Sequence, residues 1–132
     1  MSQKKVLIVD DEIHIVHVVA IKLKNNGYEI MSAHNGMEAY ELACTFKPDI
    51  IVTDYQMPIM TGMELVEKIR QNDELKNTPV IMLTARSFAI SKEQQESLQI
   101  SDCLSKPFSP RELLVNIEDI LYQKELVTEN SI

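Results

Sequence analysis

The chain has 132 residues, of which 45% are apolar and 25% are charged, and its formal net charge is −7. This length predicts a single globular domain, and so acidic a chain is not expected to bind nucleic acid directly through its phosphates. Because Cys44 and Cys103 lie in different predicted elements and no apolar run is long enough to span a membrane, we expect free thiols in a cytoplasmic protein.

Strand and helix signals alternate in the first part of the chain. Residues 6–9 form a continuous apolar run rich in β-branched residues, which predicts a strand buried on both faces. A helix is predicted over residues 12–26, where a glycine follows as expected at a helix carboxyl end. Residues 28–33 alternate more and predict an edge strand, and Asn35 with Glu38 marks the start of a second helix.

The second part of the chain repeats this alternation. Three further strands are predicted, two buried and the last a polar edge: residues 50–52, 80–83 and 102–105. A capping box at Thr61 predicts the third helix, and Ser109 followed by proline and glutamate predicts the last. The fourth helix, over residues 87–98, carries no apolar stripe, so we expect it to dock loosely.

Five successive strand–helix units predict an α/β fold. Right-handed crossovers between parallel strands make a doubly wound, five-stranded parallel sheet with five helices, and a central first strand gives the order 2-1-3-4-5. We expect residues 1–123 to form this domain and residues 124–132 to form a short carboxyl-terminal tail.

Polar residues follow four of the predicted strands. Residues 10–12 are all acidic and follow the first strand, Asp54 follows the third, Thr84 the fourth and Lys106 the fifth. The carboxyl ends of parallel strands form the binding crevice of such a sheet, so these side chains should converge there. Any one of them alone would be read as a surface turn or strand-end residue, and their joint placement argues against that reading.

The chemistry of this cluster indicates a divalent cation. Close carboxylates repel one another by roughly 4 kcal/mol per pair at an effective dielectric constant near 20, unless a cation lies between them. Oxygen ligands without histidine or cysteine favour Mg²⁺ or Mn²⁺. With such an ion present, Asp54 could attack phosphorus while Thr84 and Lys106 hold the phosphoryl oxygens.

At these residues the sequence resembles the receiver domain of two-component response regulators, across about residues 4–122. The resemblance rests on Val-Asp-Asp-Glu at 9–12, on Thr-Asp-Tyr-Gln-Met-Pro at 53–58 with Gly62, on Leu-Thr-Ala at 83–85 and on Ser-Lys-Pro-Phe at 105–108. It implies the flavodoxin-like receiver fold of single-domain chemotaxis regulators.

The resemblance also implies roles for single residues. Asp54 would be the phosphoacceptor, and Asp11 and Asp54 would ligate Mg²⁺ together with the backbone carbonyl of Gln56. Asp10 would belong to the same metal site and act through water. Glu12 is interpreted as the start of a helix rather than as a ligand.

Further implications concern the strand ends and two departures from the family. Receivers have a cis bond at the position between Lys106 and Pro107, and Ala85 would leave room for the phosphoryl group. Receivers commonly carry tyrosine or phenylalanine three residues before Lys106, where this chain has Cys103, and often carry glycine where it has Gln99. The chain therefore lacks the aromatic side chain of that switch.

The first helix carries a candidate partner surface. Four apolar residues recur on the face expected to cover the sheet: Ile13, Val16, Ala20 and Leu23. Ile15 and Val18 point the other way and should be exposed beside the strand ends. They predict a docking surface for the helical partner that the resemblance implies, a histidine kinase or a histidine phosphotransfer protein.

These observations predict a phosphoacceptor switch rather than an enzyme, with its own autophosphorylation and autodephosphorylation chemistry. It would be a monomer when unphosphorylated, would bind a downstream protein once activated and could form dimers on activation. Two alternatives remain. A haloacid-dehalogenase-type phosphatase shares the residue types but places its nucleophile after the first strand and carries a cap domain. The chain could also be the receiver portion of a DNA-binding regulator, which the start at Met1 and the tail make less favoured.

Overall fold

The computed structural model describes residues 3–85 and 90–130, with side chains described up to residue 126. Five strands and five helices alternate along this part of the chain. In order they are β1 (Lys5–Val9), α1 (Ile13–Lys24), β2 (Glu29–Ala33), α2 (Gly36–Phe46), β3 (Ile50–Asp54), α3 (Gly62–Gln71), β4 (Val80–Thr84), α4 (Lys92–Ser97), β5 (Asp102–Ser105) and α5 (Pro110–Asn130).

The strands form one parallel sheet in the order β2-β1-β3-β4-β5, which confirms the predicted topology. All residues of β3 and β4 are buried, and so are all but the first of β1. The edge strands β2 and β5 are largely exposed or half-buried. The contrast between continuous apolar runs and more polar runs therefore separated central strands from edge strands correctly.

Helices cover both faces of the sheet. One face packs against α2 and α3, through residues such as Ala43, Leu65 and Ile69. The other packs against α1 and α5, through residues such as Leu23 and Leu113. Because helices cover both faces, a ligand can approach such a sheet at its ends, and in open α/β sheets the binding crevice lies at the end where the strands finish.

The helices α2, α3 and α5 begin where their capping residues predict. Asn35 Oδ1 accepts a hydrogen bond from the Glu38 N–H at 2.9 Å, and Thr61 and Glu64 form a complete capping box. Ser109 Oγ accepts from the Glu112 N–H at 3.1 Å. Each side chain satisfies an N–H group that the first turn leaves without a partner.

Two predictions about helices need correction. The helix α4 begins at Lys92 rather than at residue 87, because Ser91 and Gln94 form its capping box; residues 87–89 lie outside the described part of the chain. Ile13 does not face the core but is 67% exposed. As the first residue of α1 it lies beyond the end of β1, so no strand runs beneath it.

The last helix continues through the boundary expected after residue 123. It runs from Pro110 to Asn130, and an ion pair of 3.5 Å joins Glu125 to Lys4. Residues 124–130 therefore extend α5 as a helix. No helix in the described ranges 3–85 and 90–130 is long and apolar enough to cross a membrane.

A close backbone approach joins β3 to α3. The Gly62 N–H donates to the Tyr55 carbonyl at 2.9 Å, and a Cβ atom at Gly62 would collide with the carbonyl oxygen of Asp54. Only glycine permits this contact. The end of β3, where Asp54 lies, is therefore packed directly against the first residue of α3.

Candidate functional site

Four of the predicted site residues meet at the open end of the sheet. Asp54 and Thr84 are the last residues of β3 and β4, while Asp10 and Lys106 directly follow β1 and β5. The side chains of Asp10, Asp54 and Thr84 are buried. Charged and polar groups are rarely buried in this way without partners, so the cluster indicates a site rather than a solvated turn.

The Lys106 ammonium lies among three carboxylates. Its Nζ atom is 3.0 Å from Asp10 Oδ2, 2.9 Å from Glu12 Oε1 and 3.4 Å from Asp54 Oδ2. Burial opposes the charged ammonium, but these contacts raise the pKa of Lys106 above its usual value. The lysine is therefore charged at neutral pH and holds the acidic side chains together.

Burial also shifts the two buried acids. It raises the pKa of Asp54 to about 6, with the neighbouring Asp10 adding to the shift and Lys106 opposing it. It raises the pKa of Asp10 as well, although the Glu12 N–H donates to Asp10 Oδ1 at 2.9 Å. One ammonium thus does not fully offset the cost of these buried charges, and a further cation would lower it.

The donor set fits a hard divalent ion. Carboxylate oxygens of Asp10, Glu12 and Asp54 lie within 4.8 Å of one another, and oxygen ligands are those that Mg²⁺ and Mn²⁺ take. Within the described residues, the buried Thr84 Oγ1 has no hydrogen-bond partner, whereas the buried Asp10 Oδ2 has the Lys106 ammonium as its contact, at 3.0 Å. Buried polar atoms normally have partners, so the Thr84 hydroxyl is available to a group that enters from outside.

The remaining predicted metal ligands lie at the edge of this group. Asp11 and Gln56 are both exposed, and the Asp11 carboxylate is not one of the three that the structure brings together. Glu12 is in the group instead. It is the N-cap residue of α1, as its interpretation as a helix start requires, but its side chain makes no capping bond and reaches Lys106. Sequence reasoning missed this second role.

A groove of about 500 Å³ begins beside the cluster and runs between α1 and the start of α5. Four predicted switch or partner residues line it: Ile15, Val18, Ala85 and Pro107. The bond between Lys106 and Pro107 is cis, as expected. Val18 is 52% exposed, whereas Ile15 is half-buried against the core beneath α1, so the expectation that both side chains face solvent was wrong for Ile15.

The comparison with known families decides what this arrangement is. The family model for the response regulator receiver domain matches residues 6–118, a range that includes every residue of the cluster. The chain belongs to this family. It is therefore a receiver domain of the two-component response regulators, a phosphoacceptor switch rather than a classical enzyme. The haloacid-dehalogenase alternative loses its support, because the same residues are accounted for by the receiver family.

Curated relatives of the receiver include two transcriptional regulators. The alkaline phosphatase synthesis transcriptional regulatory protein PhoP of Bacillus subtilis is 38% identical over 128 residues, which are 97% of this chain and 52% of PhoP. The phosphate regulon transcriptional regulatory protein PhoB of Pseudomonas aeruginosa is 36% identical over 92% of this chain and 53% of PhoB. The chain thus spans about half the length of these relatives.

Solved structures of similar length match the receiver over their whole chains. The chemotaxis response regulator CheY4 of Vibrio cholerae has a TM-score of 0.83 and 36% identity, covering 90% of this chain and 99% of CheY4. A CheY-like receiver domain protein of Methanospirillum hungatei has a TM-score of 0.84 and 28% identity, covering 94% of this chain and 98% of that one. Both support the fold and the placement of its strand ends.

The two departures of this receiver from its family lie on and before β5. Cys103 is half-buried and packs against the core beneath α3, and burial raises the pKa of its thiol. Gln99 adopts a positive φ of 54°, a conformation that glycine adopts without steric cost. The glycine of other receivers at this position thus matches a backbone requirement that glutamine meets here less favourably.

Proposed function

We propose that this receiver accepts a phosphoryl group on Asp54 from the phosphohistidine of a histidine kinase or a histidine phosphotransfer protein. The observation that carries the proposal is the pairing of a buried Asp54 carboxylate with the Lys106 ammonium at 3.4 Å, at the strand ends where the Thr84 hydroxyl has no partner. A nucleophile, a cation and a free donor are the parts that phosphoryl transfer requires.

The roles follow from the contacts. Asp54 Oδ1 accepts the Tyr55 N–H at 2.9 Å, which orients the carboxylate. A carboxylate oxygen forms the bond to phosphorus as the phosphorus–nitrogen bond to the donor histidine breaks, and the leaving imidazole takes up a proton. Lys106 and Thr84 then hold the phosphoryl oxygens, and the small side chain of Ala85 leaves space beside them. Attack of water on phosphorus reverses the modification and releases phosphate.

The metal belongs to the same proposal. Mg²⁺, or Mn²⁺ in its place, would be held by Asp10, Asp11 and Asp54 with the backbone carbonyl of Gln56, and it would neutralise charge on the carboxylate and phosphoryl oxygens. The short distances between the carboxylates of Asp10, Glu12 and Asp54 support a cation at this place and add Glu12 to the residues worth testing.

Intact mass measurement tests the phosphoacceptor. The protein is incubated with acetyl phosphate and Mg²⁺, and we expect the mass gain of one phosphoryl group, which Asp54→Asn and a chelator should each abolish. Asp119→Asn, which changes an exposed carboxylate on α5, is the control that should label like wild type. Equal labelling of Asp54→Asn would overturn the assignment.

Phosphotransfer from a protein donor tests the docking groove. We propose that Ile15 and Val18 contact the donor, because both line the groove beside Lys106. Replacing both with serine should slow transfer from the phosphohistidine donor by about tenfold or more, equivalent to 1.4 kcal/mol, and leave labelling by acetyl phosphate unchanged. Ile21→Ser is the matched control, since Ile21 is 51% exposed on the same helix. If the double variant slows transfer from the phosphohistidine donor and labelling by acetyl phosphate equally, the proposed docking groove is refuted.

The output of the switch is proposed to be protein binding. The surface formed by α4, β5 and α5 would bind a downstream protein after phosphorylation, in a cytoplasmic protein that is monomeric at rest. Cys103 takes the place of the family's aromatic residue in this surface. Sedimentation with and without acetyl phosphate would show whether phosphorylation brings dimers.

A second candidate is that this receiver is part of a DNA-binding regulator. The observation that favours it is the length of PhoP and PhoB, of which the chain spans about half. The coding sequence that follows Ile132 tests this: an open reading frame continuing into a DNA-binding domain would support the second candidate, and a stop codon would refute it.

A further inference from the structure

Arg70 joins two segments that lie far apart in the sequence. Its guanidinium, in the last turn of α3, donates from Nε to the Leu98 carbonyl at 2.8 Å and from Nη2 to the Gln99 carbonyl at 3.0 Å. Its Nη1 donates to the Lys76 carbonyl at 3.0 Å and to the Thr78 carbonyl at 2.7 Å. One half-buried side chain therefore links the segment before β4 to the turn after α4.

The helix α4 has little of its own to hold it. None of its six residues is buried. The apolar residues that pack against the core flank the helix: Ile90 precedes it, and Leu98 and Ile100 follow it. Two of these three anchors are thus at the carboxyl end, in the same turn that Arg70 contacts.

The turn after α4 has hydrogen bonds of its own, and Arg70 supplies donors to the two carbonyls that those bonds leave out. The Gln99 N–H donates to Glu96 and the Ile100 N–H donates to Gln95, at 3.1 and 2.9 Å, which is the pattern of a Schellman motif with Gln99 in the left-handed position. The carbonyls of Leu98 and Gln99 face away from these bonds and accept from Arg70. A cation at a helix carboxyl end is also electrostatically favourable.

Between the residues that the structure describes, the amino end of α4 has no comparable link. Within the described residues, the hydrogen bonds of Ser91 and Gln94 stay inside the helix and its cap. This end follows the chain leaving Thr84, the residue proposed above to hold the phosphoryl group. Counting only the hydrogen bonds between described residues, the end of α4 nearer to the site in the sequence is therefore the end with fewer links to the rest of the domain.

We propose that Arg70 fixes the carboxyl end of α4, so that phosphorylation displaces the helix at its amino end about a stationary turn at residues 98–100. The inference rests on the proposed function, because it describes how the state of Asp54 reaches the output surface. Arg70 acts here as a positioning residue: it contacts neither the acidic cluster nor a ligand, but determines which part of α4 can move.

Hydrogen exchange measured by NMR at single amides tests this in two steps. In the unphosphorylated protein, Arg70→Ala should speed exchange at Leu98, Gln99 and Ile100 by about tenfold, and at Gln94 and Gln95 by less than about twofold. Arg70→Lys should behave like Arg70→Ala, since one ammonium cannot reach four carbonyls. Arg111→Ala, which removes an exposed arginine on α5, is the control and should change neither set.

The second step adds acetyl phosphate and Mg²⁺. In wild type, phosphorylation should change exchange at Gln94 and Gln95 by about fivefold or more and leave Leu98 to Ile100 within about twofold. In the Arg70→Lys variant, phosphorylation should change the exchange rates of both groups of amides. If phosphorylated wild-type protein shows equal changes in exchange rate at both ends of α4, the inference is overturned.

The two proposals fail in different ways. A wild-type sample without the phosphoryl mass gain would overturn the proposed function. In that case the first step still decides whether Arg70 fixes the turn at residues 98–100, because it needs no phosphorylation. If Arg70→Ala speeds hydrogen exchange equally at both ends of α4, or at neither end, the proposal that Arg70 fixes the carboxyl end is overturned.

Discussion

The third and fourth strand–helix units of this receiver begin alike and end differently. Each strand is buried and ends in a site residue, Asp54 or Thr84, and each helix begins with a capping box. The helix α3 then buries five of its ten residues, whereas α4 buries none. A cap determines where a helix starts, but only an apolar face attaches it to the sheet.

This difference means that the two helices beside the site are attached to the sheet with different strength. The helix α3 packs against the end of β3, so Asp54, the proposed phosphoacceptor, lies on a firmly packed unit. The helix α4 is attached mainly through its flanking residues, so its position can respond to the state of the site. Elements that move in switching are drawn from the weakly attached parts of a protein, and the two units supply one part of each kind.

The largest expected effect comes from removing an anchor of α3. Leu65→Ala deletes a fully buried side chain and should lower the free energy of unfolding by about 3 kcal/mol, through lost burial and a cavity. Glu96→Ala, on the exposed surface of α4, should change it by less than about 0.5 kcal/mol. Urea unfolding measures both. Similar losses in the two variants would contradict the contrast between the helices.

The next largest effect is on the free energy of unfolding at different pH values. It compares variants at the ends of β3 and β4, measured without divalent ions. Because the folded-state pKa of Asp54 is raised to about 6 from 3.8, ionising it costs stability, and this cost grows as pH rises from about 4 to above 6. Asp54→Asn should therefore be more stable than wild type by about 2 kcal/mol at pH 7.5 and by little at pH 4.

Thr84→Val, at the end of β4, is the control for the stability measurement on Asp54→Asn. The threonine hydroxyl does not titrate, so the stability difference between Thr84→Val and wild type should be the same at both pH values. A pH-independent difference for Asp54→Asn would show that burial does not raise the Asp54 pKa.

The two capping boxes give a smaller effect with different readouts. Thr61→Ala should lower the free energy of unfolding by about 1 kcal/mol, because α3 unfolds with the core. Ser91→Ala removes the same kind of bond, but we expect a change in global stability below about 0.3 kcal/mol and faster exchange at the Gln94 amide. Equal global losses would mean that α4 belongs to the same cooperative unit as α3.

The smallest effect concerns one left-handed residue in each unit. Ile59, between β3 and α3, has a φ of 72°, and Gln99, after α4, has a φ of 54°. Glycine relieves the steric cost but loses more entropy on folding. Because these two effects partly cancel, Ile59→Gly should raise the free energy of unfolding by about 0.5 kcal/mol and Gln99→Gly by about 0.2 kcal/mol, the β-branched residue gaining more. If both glycine variants are less stable than wild type, the positive φ angles of Ile59 and Gln99 do not carry a steric cost.

Local signals predicted most of this fold. Apolar runs and capping residues act over a few neighbouring positions, so the strands, their order and the starts of α2, α3 and α5 could be read from the sequence. The failures were at helix ends: α4 starts later than predicted, and Ile13 lies beyond the strands that would have covered it. Periodicity gives the direction in which a side chain points, but not whether another element lies there.

The site was predictable in its backbone placement and less so in its side-chain contacts. Strand ends brought Asp10, Asp54 and Lys106 together as expected. The contact between Glu12 and Lys106 spans 94 positions and depends on two long, flexible side chains, for which no local pattern exists. The bonds of Arg70 were missed for the same reason, since their acceptors are backbone carbonyls that any sequence would supply.

The contact at Gly62 limits how this domain can vary. Position 62 opens α3, where alanine ordinarily makes the better helix former, yet any side chain there would meet the Asp54 carbonyl. A saturation library should consequently return wild type alone at this codon, and a screen for thermal tolerance would find no improvement there. The requirement comes from a neighbouring strand, so helix propensity tables would rank the substitutions in the wrong order.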